Sequence, residues 1–213
     1  MAKITGVFTS MKGKVGNAVM QTWKGIQVMR THVIPANPQS AGQTTNRTLF
    51  TELVGMFKGI LVPLVHKFWN PFTGAHETGW SNLIGANQLI GAGSAIDYES
   101  VVISKGSLPN EVITTATYDD TSGLVAVEWV DSLAEGSSSL DFVMVCAYDK
   151  VNNKWAFADG EENRGSETES VTLETGLTPA DVVAYLFFFT GVFATPAIES
   201  VSNSAAKETI APV

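Results

Sequence analysis

The sequence predicts an α+β chain in which a β-hairpin arm and two helices lead into an antiparallel β-sandwich. Three observations carry this. Glycines punctuate β-forming residues over positions 1–35, apolar residues recur at helical spacing between about 40 and 90, and short β-rich segments follow from Tyr98 onward. The expected division is 1–97, a basic and partly helical arm, and 98–213, an acidic sandwich.

The arm contains Gly6, Gly13, Gly16 and Gly25, with Val15, Val19, Trp23, Ile26 and Val28 between them. Val15 to Gln21 and Gly25 to Val33 are expected as two strands joined by a turn at Thr22-Trp23-Lys24-Gly25, where glycine supplies a positive φ. A hairpin of that size is not stable alone and has to join another sheet or a partner. Pro35 and Pro38 then impose an extended connection, because the residue before a proline is pushed out of the helical region. Ser40 is the expected N-cap of the first helix, with Gln43 as its capping-box partner, and Leu49, Phe50, Leu53, Val54 and Phe57 form its apolar stripe. Pro63 is expected to kink or end that helix, although Leu64, Val65 and Phe68 extend the stripe past it. A second helix is expected from Thr78 to about Ile90, stopped by Gly91-Ala92-Gly93.

Eight strands are expected after that: Ser100–Ser104, Val112–Tyr118, Leu124–Val130, Leu140–Tyr148, Lys154–Ala158, Glu169–Leu173, Val183–Phe189 and Ala197–Val201. Turn residues separate them, among them Asp119 to Gly123, Asn152-Asn153, Asp159-Gly160 and Leu177-Thr178-Pro179. That number and spacing match a sandwich of immunoglobulin or fibronectin type.

Charged residues make up only 16% of the 213, and the net charge of −8 conceals an asymmetry. Residues 1–70 carry eight bases against the single acid Glu52, a net +7, and the remainder carries five bases against twenty acids, a net −15. Opposite charge on two parts of a chain can be satisfied within it or by head-to-tail contact between copies. Nucleic-acid binding would call for a denser basic cluster interleaved with aromatics. The one cysteine, Cys146, lies in an apolar run and reads as a buried hydrophobe. The N-terminus lacks the pattern of a secretory signal and no uninterrupted run of 18 apolar residues occurs, so synthesis in the cytoplasm and no membrane span are expected.

Signatures of chemistry are sparse. His32, His66 and His76 are scattered, and no zinc, thiol-redox, nucleophile-elbow or phosphate-loop pattern is present. Gly91-Ala92-Gly93 lacks the third glycine of a dinucleotide fingerprint. Asp159-Gly160-Glu161-Glu162 could offer oxygens to calcium but lacks the alternating spacing of a calcium loop, so a solvated turn is the expectation. No enzyme activity, cofactor, metal or small-molecule substrate is expected. Trp155, beside Asn152 and Asn153, suits either a strand interior or a sugar site.

The stretch Gly13-Lys14-Val15-Gly16-Asn17, Trp23-Lys24-Gly25, Arg30, Pro35-Ala36-Asn37-Pro38, Gln43, Arg47 and Phe50 resembles the opening of two sets of sequences. One is short structural proteins of tailed-phage genomes. The other is a family of uncharacterised Bacteroidota proteins of similar length, and there the resemblance continues through Val102 to Pro109, Val183 to Phe189 and Ser200 to Ser204. The phage resemblance covers the arm alone and implies a virion component. The family resemblance implies membership without an activity.

The arm's residues suit assembly: glycines allow close backbone approach, Trp23 is a large rigid anchor, and Arg30 and Arg47 can pair bidentately with carboxylates of a neighbouring copy. The expected interface residues are therefore Gly13, Gly16, Trp23, Lys24, Gly25, Arg30 and Arg47. The alternative is an arm folded back on its own helices. The expected function is a non-enzymatic, self-assembling virion subunit whose partners are copies of itself and neighbouring subunits. A bacterial surface or filament protein and a glycan- or receptor-binding sandwich are the alternatives, with final locations in the virion or at an extracellular surface.

Overall fold

A computed structural model describes residues 2–3, 12–23, 26–34, 36–37, 39–74, 76–88, 96–192 and 197–212. The chain forms two compact units, residues 1–41 and 42–213. The division falls after Ala41, so both helices belong with the sandwich and not with the basic arm.

The smaller unit is an antiparallel sheet of order β1-β4-β3-β2, from β1 (Ala2–Lys3), β2 (Gly13–Val15), β3 (Ala18–Trp23) and β4 (Ile26–Thr31). The single strand expected from Val15 to Gln21 is instead broken at Gly16-Asn17, a two-residue loop that sets Val15 opposite Ala18. Gly16 has φ +58°, which suits the first central position of a type II′ turn, whose twist matches the flanking strands. Thr22 and Trp23, expected in a turn, are strand residues, and Trp23 pairs with Ile26. Lys24 and Gly25 lie outside the described residues, as do Pro35 and Pro38. Among the described side chains of this unit only Gln27 and Val28 are buried.

In the larger unit, α1 (Ala41–Phe57) begins directly after Ser40 and runs without a break into a 3-10 turn (Lys58–Ile60), a π-helical stretch (Leu61–Trp69) and a second 3-10 turn (Asn70–Phe72). Pro63 therefore neither ends nor interrupts the rod. A proline cannot donate a helical hydrogen bond or tolerate the carbonyl four residues earlier, and the winding changes around it, tight before and wide after. The second helix, α2 (Gly79–Asn87), is capped by Thr78 and Ser81: the Thr78 hydroxyl accepts from Ser81 N at 3.1 Å, and Thr78 N donates to Ser81 Oγ at 3.2 Å. It is shorter than expected, and the expected stop at Gly91-Ala92-Gly93 lies outside the described residues.

The sandwich strands are β5 (Ile113–Tyr118), β6 (Leu124–Trp129), β7 (Phe142–Asp149), β8 (Lys154–Phe157), β9 (Thr168–Thr172), β10 (Val182–Val192), β11 (Ala197–Val201) and β12 (Ala205–Glu208). One sheet has the order β5-β6-β9; the other has β11-β10-β7-β8, with β12 also on β10. All pairings are antiparallel. The architecture is thus an antiparallel β-sandwich backed by helices. The strand expected at Ser100–Ser104 is instead a 3-10 turn (Tyr98–Ser100) and an extended segment, and β12 was not foreseen.

The larger sheet is the middle of three layers. Val143, Val145, Ala147, Ala184, Leu186 and Phe188 face the smaller sheet's Tyr118, Val125, Val127 and Trp129. Met144, Cys146, Tyr148, Tyr185, Phe187 and Phe189 face the helices' Leu53, Met56, Phe57, Ile60, Leu64 and Phe68. Phe68 meets Phe187 and Phe189 edge-on, with centroids 4.9 and 5.2 Å apart.

β11 and β12 share one edge of β10, and the jog between them is closed by a polar clamp. Ser202 N donates to Phe188 O and Ser202 Oγ accepts from Phe188 N, each at 2.8 Å. The segment 102–108 lies along the jog. Ser104 Oγ donates to Ser202 O (2.9 Å), Ile103 N to Ser204 Oγ (2.9 Å), Gly106 N to Asn203 Oδ1 (3.2 Å) and Leu108 N to Val201 O (3.1 Å). Gly106 is required by close approach, since a Cβ there would lie 1.8 Å from Val201 O. Two of the stretches that carry the family resemblance, Val102 to Pro109 and Ser200 to Ser204, are the two sides of this clamp.

Candidate interaction surface

In the small sheet, register places Lys14, Val19 and Arg30 in one cross-strand row and Gly13, Met20 and Met29 in the next. Lys14 and Arg30 are exposed and Val19 is half-buried, so two cations flank an apolar side chain across strands spanning about 10 Å. Val15, Ile26, Val33 and Ile34 are exposed as well. Residues 1–41 carry five bases and no acid, whereas residues 42–213 carry eight bases and 21 acids.

Of the expected interface residues, Gly13, Gly16 and Arg30 share this sheet and Trp23 ends β3, while Lys24 and Gly25 lie outside the described residues. Among the described residues, apart from the chain neighbours, no atom lies within 4 Å of where a Cβ would be at Gly13 or Gly16, so both serve backbone geometry, with φ of +117° and +58°. Arg47 is exposed on α1, in the other unit.

The larger unit holds a site that spacing did not reveal. Arg164, the only arginine beyond Arg47, is fully buried at one end of the sandwich. Its Nη1 donates to Glu111 Oε1 at 2.8 Å and its Nη2 to Pro109 O at 2.7 Å. Asp141 Oδ2 lies 3.4 Å from Nε, and the guanidinium sits 3.9 Å from the centre of the Phe188 ring. Glu111 Oε1 also accepts from Ser132 N and Oγ, Asp141 Oδ2 from Ser138 N, and Asp131 Oδ2 from Ser139 Oγ. Three segments, 109–112, 130–133 and 138–141, are thereby tied to one buried cation. These segments carry the exposed aliphatics Val112, Val130, Leu133 and Leu140, each 60–80% exposed. Leu133 has φ +49°, a conformation unfavourable for a bulky side chain. Beside them a cleft of about 300 Å³ is lined by Glu128, Val130, Glu167 and Thr168.

Elsewhere the side chains are arranged for packing. His32, His66 and His76 are exposed, and among the described residues no three His, Cys, Asp or Glu side chains are grouped to hold a metal. Burial pushes the Cys146 thiol far above its ordinary range. At the acidic turn, Gly160 has φ +73° and Asp159 Oδ1 accepts from Glu161 N. Nearby, burial raises the Glu169 carboxyl, and Glu162 and Asp159 add to the shift. Trp155 packs inward: its Nε1 donates to Met56 O at 2.8 Å, and its ring meets Tyr148, Phe157 and Tyr185.

The helical rod Ala41–Phe72 is long and apolar enough, by length and composition, to cross a membrane, with mean hydropathy 1.6 over its best 18 residues. Leu53, Met56, Phe57, Ile60, Leu64 and Phe68 of the rod pack on the middle sheet, whereas its Phe50, Val62 and Phe72 are exposed.

Among solved structures, the fibronectin type-III domain of human fibronectin type III domain containing protein 3 aligns with 51% of this chain and 90% of its own, at 12% identity and a TM-score of 0.29. The sandwich assignment rests on the strand pairing and not on that likeness. No curated protein shows significant similarity. A family model matches residues 10–205, nearly the whole chain, and the protein therefore belongs to the family of unknown function DUF6266.

Proposed function

We propose that this chain is a non-enzymatic structural subunit that assembles with copies of itself through its N-terminal β-arm. One observation carries the reading: the arm is a small sheet with almost no core among its described side chains, so its stability depends on surface supplied from elsewhere. The charge distribution supports it, since a partner sheet bearing five bases and no acid is electrostatically matched to a body bearing 21 acids. The setting we favour is a phage particle, as a head, decoration or tail subunit, on the arm's resemblance to tailed-phage structural proteins. The resemblance to Bacteroidota proteins along most of the chain favours a second setting, a host-encoded surface or filament protein. Neighbouring genes separate them: capsid, portal or terminase genes mark the first, secretion genes the second.

The test is negative-stain microscopy of the purified full chain, with light scattering at low and high salt. Regular rings, shells or filaments that loosen as salt rises are expected. A monomer that persists at high concentration in low salt refutes the reading.

A further inference from the structure

We propose that the sandwich end built over Arg164 is the docking surface for the β-arm of a second copy of this chain. The inference rests on the assembly reading above and names the surface it uses.

Four large aliphatic side chains, Val112, Val130, Leu133 and Leu140, stand 60–80% exposed on three segments that one buried guanidinium holds in place. Scattered exposed aliphatics are ordinary, but four on one pinned platform are a preformed contact area. Leu133 stays there at a backbone angle that asparagine or glycine would adopt more readily. Folding alone does not account for an exposed leucine at that position.

Charge selects the occupant. Glu111 and Asp141 are paired with Arg164, but Glu128 and Glu167 are exposed and line the adjoining cleft beside Val130, and no lysine or arginine occurs between Lys105 and Lys150. The arm offers the complement: Lys14 and Arg30 flank Val19 in one row, Val33 and Ile34 are 71% and 83% exposed, and its 41 residues contain no acid. An apolar surface bounded by carboxylates meets an apolar row bounded by cations. A lipid surface is the poorer match, since a patch without bases gains nothing from anionic headgroups.

Full-length chains test this. A platform variant, Leu133→Asn with Glu128→Gln, removes an exposed aliphatic and a cleft charge; asparagine suits the φ at position 133, so its melting temperature should equal or exceed the parent's. An arm variant, Lys14→Glu with Arg30→Glu, reverses the cationic row. Each alone is expected to weaken self-association about tenfold or more in low salt. Mixed in equal amounts, they should form a discrete dimer, because the intact arm of one meets the intact platform of the other and growth stops there. Variants that assemble like the parent, or a mixture that stays monomeric, overturn this docking site while leaving assembly itself standing. A parent chain that never assembles refutes the reading beneath it. Parent chain that pellets with zwitterionic vesicles, and ceases to do so on Leu133→Asn, assigns the platform to lipid and overturns the proposal.

Discussion

Replacing Gly106 with alanine tests the clamp between residues 102–108 and 201–204. The added Cβ would lie 1.8 Å from Val201 O, whereas carbon and oxygen settle no closer than about 3.3 Å, so the two backbones must part by roughly 1.5 Å. That displacement breaks or strains Gly106 N to Asn203 Oδ1, Leu108 N to Val201 O and Ser104 Oγ to Ser202 O, two of them at buried Val201 and Ser202. At about 1 kcal/mol for each bond, with a further cost for polar groups left buried, the loss is about 3–5 kcal/mol. In a unit of this size that lowers the melting temperature by about 10 °C. Gly85→Ala is the control: it makes the same chemical change inside α2, where nothing lies within 4 Å of the new methyl, and should gain about 0.5–1 kcal/mol. Urea denaturation followed by tryptophan fluorescence measures both. A Gly106→Ala loss below about 1 kcal/mol would show that the clamp gives way freely and that its hydrogen bonds do not hold the jog.

Arg164→Met should cost about 3–5 kcal/mol in urea denaturation, because Glu111 and Asp141 lose their buried cation, and adding Glu111→Gln should recover part of the loss. Trp155→Phe should cost about 2 kcal/mol through the lost bond to Met56 O and the smaller ring. Gly59→Ala, whose Cβ would meet Trp155 Cδ1 at 2.6 Å, should be less harmful in that background than in the parent, a coupling a double-mutant cycle reads directly. Burial raises the Cys146 thiol and the Tyr185 phenol above their unfolded values, so their contribution is complete below the unfolded pKa. Stability should hold up to about pH 8.5 and fall as pH rises further, with Cys146→Ala removing the earlier part of the fall in a pH series of melting curves.

The sandwich was legible because its strands are short, β-rich and bounded by turn residues, and β11 was placed at its observed limits, Ala197–Val201. The layering was missed although the sequence carries its mark: β7 and β10 are continuous apolar runs instead of alternating ones, the pattern of strands buried on both faces. A helix layer on the outer side of that sheet follows from those runs. β12, Ala-Ala-Lys-Glu, lacks β-formers and exists because β10 supplies a pairing edge, which tertiary context alone provides. The break at Gly16-Asn17 was missed because a two-residue loop inside a β-rich stretch resembles continuation of the strand. Of the expected interface residues, Gly13, Gly16 and Arg30 fall in one sheet, and strand register sets Lys14, which was not among them, in the row of Arg30. Arg164 offered no local cue, since its partners Glu111 and Asp141 lie 53 and 23 residues away in sequence.

The divided edge of β10 also makes the middle sheet depend on β11 and β12. A chain cut just past residue 192 keeps β7 and β10, whose Leu-Phe-Phe-Phe run is buried in the finished sheet, but has neither strand that covers the other edge of β10. Without residues 197–208 that edge is bare, and an unpaired apolar strand is a template for the same strand of another chain. Truncation at residue 192 should therefore yield aggregates that the intact chain does not form.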